Sequence, residues 1–70
     1  MYYLYAGFNH KYGDEVALVG AFGAYSEAQQ LKDLEELAWS DEGLKFQIRA
    51  TEIDPPPNIS YNKLQVMVMK

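Results

Sequence analysis

Residues 2–8, Tyr-Tyr-Leu-Tyr-Ala-Gly-Phe, carry apolar or aromatic side chains at both odd and even positions, as expected of a strand covered on two faces. A central strand is predicted there. Residues 9–14 are dense in turn formers and lead into a second apolar run over 15–22, so the two segments read as a long-looped β-hairpin. Ser26 then stands where an N-cap belongs, Gln29 completes an S-x-x-Q capping box, and Glu27 sits in the first turn, where the helix dipole favours it. Ala28, Leu31, Leu34, Leu37 and Ala38 recur at helical spacing, which predicts one amphipathic helix over 26–39. Gly43 closes the polar exit Ser40-Asp41-Glu42 and is available for a left-handed turn.

Residues 45–53 alternate, with Phe46, Ile48 and Ala50 on one face and Lys45, Gln47, Arg49 and Thr51 on the other; this predicts a half-buried strand. Pro55, Pro56 and Pro57 cannot continue a ladder, because each lacks the N–H and fixes φ. Residues 61–69 alternate again, Leu64, Val66 and Val68 against Lys63, Gln65, Met67 and Met69, and predict a last strand. The expected fold is one α+β domain over 1–70, ββαββ, with a four-stranded antiparallel sheet in the order 2-1-3-4 and one helix packed on one face. Leu31, Leu34, Phe46, Ile48, Leu64 and Val66 are the expected core. One helix cannot cover both faces of a sheet, so a second face bearing Tyr3, Tyr5, Ala17, Val19, Gln47, Arg49, Thr51, Met67 and Met69 is expected to stay open unless a loop folds over it.

The chain has 70 residues, no cysteine, and six basic against ten acidic side chains for a net charge of -4. A chain this short buries only about 60% of its unfolded surface, and without disulfides or thiolate metal ligands another source of stability is needed. Self-association is the expected one, giving a homodimer. Hydrophobic residues at 49% and charged residues at 23% mark a folded domain. No apolar run has the length of a membrane span, and the Met1-Tyr2-Tyr3-Leu4 opening lacks the charged start of a signal peptide, so a cytoplasmic protein without membrane contact is expected. The acidic balance opposes nucleic-acid binding.

Catalytic and metal sites are not expected. His10 is the lone histidine, which leaves a His-based metal site without a second imidazole and a Ser-His-Asp arrangement dependent on chance proximity. The acidic band Asp33, Glu35, Glu36, Asp41 and Glu42 reads first as a solvated helix face, with a phosphate-mimicking surface as the sharper alternative. No phosphate-loop spacing surrounds Gly20 and Gly23, and no cofactor is expected. Mixed Tyr, Met and Arg on an open face have the composition of a protein interface. Tyr3, Tyr5, Arg49 and Met67 on that face, with His10 and Tyr12 at the hairpin tip, are therefore the candidate partner-binding residues. The alternative is a nucleic-acid or nucleotide-associated module that stacks bases on the same tyrosines.

The opening Tyr-x-Leu-Tyr, the charged hairpin loop, Leu18-Val19-Gly20-Ala21-Phe22, Tyr25-Ser26-Glu27-Ala28 and the strand end Glu52-Ile53-Asp54 together resemble small uncharacterised ββαβ domains of phage and bacterial genomes. The resemblance covers residues 2–54; Gly23-Ala24 interrupts the family's pattern, and the segment after the prolines is an addition. It carries no function to transfer and implies a phage-encoded accessory protein, which would act in the host cytoplasm. Compact acidic phage proteins of this size resemble inhibitors, so a host defence or regulatory enzyme is the implied partner.

Overall fold

The computed structural model describes residues 1–10 and 13–69, with the side chain of His10 outside that description. The order is β1 (Tyr2–His10), β2 (Gly13–Phe22), α1 (Tyr25–Ala38), β3 (Leu44–Arg49) and α2 (Tyr61–Val68). Among the described residues the sheet has three strands, in the order β2-β1-β3, with β1 antiparallel to both neighbours. The doubly apolar run at the N-terminus is thus the central strand. Both strands of the hairpin continue through most of the segment rich in turn formers, pairing Asn9 with Asp14 and His10 with Gly13. Asn9 donates from its side-chain amide to the Asp14 carboxylate.

The sequence expectation of a fourth strand is corrected: residues 61–68 form a helix. Tyr61, Leu64 and Val68 fall on one helical face, and Leu64 and Val68 are buried. Ser60 caps the helix, its hydroxyl oxygen accepting from the Lys63 N–H at 3.2 Å. Such a cap satisfies one of the donors that a helix start leaves orphaned. Ser60→Ala should lower stability by about 1 kcal/mol, measured by urea unfolding; an unchanged midpoint would show that α2 does not depend on its cap.

One face of the sheet carries Leu4, Ala6 and Phe8, opposite Ile48, Phe46 and Leu44 in register. Ala6 also lies across from Ala17, and Leu64 sits on this pair of small residues, all three fully buried. Phe8, Val19, Leu44, Phe46, Ile59 and Tyr61 pack around them. Tyr61 links the layers: its ring meets Phe46 edge-on at 6.5 Å, and its hydroxyl lies among Glu35 and Trp39 of α1. Both helices therefore share this face, and the Cα envelope, 15 Å at its thinnest, has room for one sheet and one helix layer.

α1 begins a residue earlier than its sequence signals indicate. Ala24 occupies the cap position without a side-chain bond, and Ser26 falls inside the first turn. Tyr25 joins the helix, with its ring edge-on to Tyr2 at 5.6 Å. The helix is also rotated from its expected orientation. Ala28 is fully buried and Leu31, Glu35 and Trp39 are half-buried, whereas Leu34 is 65% exposed and Leu37 77% exposed. Leu34 and Val66, expected in the core, are both on the surface. Glu35 and Trp39 lie instead near the Tyr61 hydroxyl, while α2 itself packs on β2 and β1.

Two glycines are fixed by geometry. Gly43, at φ +77, makes the left-handed turn into β3 that a side chain disfavours. At Gly20, a Cβ would stand 3.0 Å from the Phe22 ring. The register shifts between Leu4 and Tyr5, leaving Val19 as the extra residue of a bulge. Ala17 and Val19, expected on the open face, both reach the core, as two residues at i and i+2 of one strand can.

Candidate functional site

Tyr3, Tyr5 and Gly7 point to the other face of the sheet, opposite Arg49, Gln47 and Lys45. Tyr3 and Arg49 are therefore neighbours, Tyr3 half-buried and Arg49 exposed. Tyr5 is not available to a partner. It is only 5% exposed, and its hydroxyl accepts from the Ile53 N–H at 3.1 Å. The ladder ends at Arg49 and the segment after it folds over this face, where the three prolines cannot rejoin a ladder; the Asp54–Pro55 peptide is cis. Between that segment and the start of β2 lies an open cavity of about 500 Å³, lined by Val16, Ile53, Pro55, Pro56 and Pro57 among others. A second hollow continues from it over Gly7 toward Lys45.

Met67 lies on α2, half-buried, in the helix layer and away from the tyrosine face. The His10 side chain and Tyr12 lie outside the described residues. Of the six candidate binding residues, the structure brings Tyr3 and Arg49 together and separates them from Met67.

Large apolar side chains stand in the solvent elsewhere. Besides Leu34 and Leu37, these are Met1, Leu18, Tyr25, Val66 and Met69, while Leu4 and Leu64 are the largest side chains fully buried. Leu34 and Leu37 are three residues apart and share one helical face. Gln30, Asp33 and Glu36, all exposed, border them. Asp33 accepts from Gln29 at 2.8 Å, and Glu36 pairs with Lys32 at 3.1 Å, so these carboxylates are held in place along the helix. The result is an apolar centre with a polar border, the composition pattern of an interface. Sequence reasoning found the leucines but placed them inward.

Glu35 leaves the acidic band and turns toward Tyr61. The Tyr61 hydroxyl is buried without a partner in hydrogen-bonding geometry, and its pKa is pushed up to about 12, chiefly by burial and further by the Glu35 carboxylate. Raised above the unfolded value, it makes the folded state hold a proton that the unfolded chain releases first. Its contribution is intact below pH 10 and is lost as pH rises from about 10 to about 12. Tyr61→Phe should therefore flatten the alkaline fall in stability, by roughly 1–3 kcal/mol across that window, and remove an unsatisfied hydroxyl. Urea midpoints for both proteins between pH 9 and pH 12 check this; parallel curves would contradict it.

Among the described residues no group of three or more His, Asp or Glu side chains is placed to hold a metal ion, and no helix is long and apolar enough to cross a membrane. No family model, curated protein or solved structure matches this chain.

Proposed function

We propose that this chain is a non-enzymatic protein-binding domain whose working surface is the outer face of α1. The observation that carries the reading is the exposure of Leu34 and Leu37, at 65% and 77%, on a helix that has other residues available to face its sheet. Leaving two leucines in water forgoes about 1.5–3 kcal/mol for each, and a partner that covers them recovers it. The border of Gln30, Asp33 and Glu36 supports the same reading, since a polar rim keeps such a patch soluble when the partner is absent. The tyrosine face supports a nucleic-acid role less well, because Tyr5, one of its two stacking rings, is covered. Binding should fail in Leu34→Glu with Leu37→Glu and persist in Tyr3→Ala and Arg49→Glu, with circular dichroism unchanged throughout. The opposite pattern would return the site to the sheet.

A further inference from the structure

We propose that the outer edge of β3 takes an extended acidic peptide as a fourth strand, with carboxylate side chains of the peptide facing Lys45 and Arg49. This is a separate surface from the outer face of α1. The first observation is the edge itself. β3 pairs with β1 on one side, and among the described residues no strand lies on the other. Leu44–Arg49 contains no proline or glycine, and the outward N–H and C=O groups of such a strand are a template for pairing with another chain. The opposite edge is less suited. β2 carries a bulge at Val19 and glycines at 13 and 20, and residues 53–58 border its start, so continuous pairing there is interrupted.

The second observation is charge. The chain as a whole is acidic, at -4, yet β3 turns Lys45 and Arg49 to solvent on one face, with exposed Gln47 between them. Neither cation forms an ion pair among the described residues, whereas Lys32 is held by Glu36. Cations on an edge strand guard it against indiscriminate pairing. Opposite charges directly across a ladder attract and like charges repel, so the pair that guards this edge selects an acidic strand.

Spacing then defines the peptide. Residues four apart on a strand share a face and stand about 13 Å from one another, so carboxylates at the first and fifth positions of a peptide meet Lys45 and Arg49 together. The third position faces Gln47 and is polar. The second and fourth lie beside half-buried Phe46 and Ile48, where β-branched apolar side chains fit. A polynucleotide matches this edge less well: it has no backbone amides in ladder spacing, and the net charge of the chain repels it.

The probe is an acetylated, amidated peptide with Glu-Val-Thr-Val-Glu at its centre, titrated into the whole chain at low salt. Saturable binding is expected, with slower amide exchange along Leu44–Arg49. Lys45→Glu with Arg49→Glu should weaken binding about tenfold or more, and should create a preference for the matching Lys-Val-Thr-Val-Lys peptide. Methylating alternate backbone nitrogens of the acidic peptide should abolish binding for one of the two alternate sets, because that set donates to the ladder. A Kd above about 1 mM, protection elsewhere than β3, equal affinity for the two peptides, or binding that survives both methylations overturns the proposal. So does displacement of the acidic peptide by oligothymidylate, which would assign the edge to nucleic acid. Should the double glutamate variant fail to fold, Lys45→Gln with Arg49→Gln replaces it, with an expected loss of about threefold or more. Leu34→Glu with Leu37→Glu should leave the peptide's affinity unchanged, so the β3 edge and the outer face of α1 are tested separately; a loss in that variant would place the peptide on α1 and overturn the proposal.

Discussion

Leu64→Ala is expected to remove about 2–5 kcal/mol of stability, since Leu64 is, with Leu4, one of the two largest side chains fully buried among the described residues. Leu64 is fully buried on Ala6 and Ala17, two residues too small to move into the space it would leave. Marginal stability of about 0.05–0.15 kcal/mol per residue gives a chain of 70 residues a total of roughly 4–10 kcal/mol, so a large share of it is at stake. Because Leu64 makes its contacts within one chain, the loss should be the same at every protein concentration. Leu34→Ala differs. With that side chain 65% exposed, its cost within the chain should be only a few tenths of a kcal/mol, and any larger effect should grow with concentration. Urea unfolding of both variants at two concentrations checks the contrast. A Leu64→Ala loss below about 1 kcal/mol would show that α2 is not packed on the alanine pair.

Replacing Leu34 and Leu37 together by glutamate is expected to weaken binding at α1 by more than 2 kcal/mol, the hot-spot range, which is about a 30-fold rise in Kd. Two effects add. The change removes the apolar area that binding takes out of water, and it puts charged groups at the centre of a patch where charge is costly to desolvate. The fold itself should persist, since neither leucine belongs to the buried core. Isothermal titration or sedimentation gives the Kd, and a change below threefold would place the binding energy elsewhere.

How much of this was legible in the sequence follows from how many elements each residue touches. The three strands and α1 could be read because their apolar spacing has one period each, and the order with β1 in the centre followed from its two apolar faces. Residues 61–69 fit two periods at once. Leu64, Val66 and Val68 alternate as a strand would, while Tyr61, Leu64 and Val68 share a helical face. The signal that separates them is Ser60 directly after the proline segment, an N-cap whose bond to the Lys63 N–H has no use in a strand.

That single misreading carried forward. With α2 taken as a strand, α1 had a whole face to itself, and its most apolar stripe was turned to the core. In the structure α1 shares the face with α2, Glu35 and Trp39 turn toward Tyr61, and Leu34 and Leu37 turn out. On the other side, Tyr3 and Arg49 are the neighbours that register implies. The burial of Tyr5 by the proline segment depends on a loop path that no periodicity encodes.

The outer face of α1 as a protein-binding surface is tested most directly by a photoreactive phenylalanine analogue placed at position 37, with the same group at the exposed position 62 on α2 as the control. Irradiation in an extract of the source cells should give a discrete protein adduct from position 37 and little from position 62. No protein adduct from position 37, or equal adducts from both positions, would contradict it.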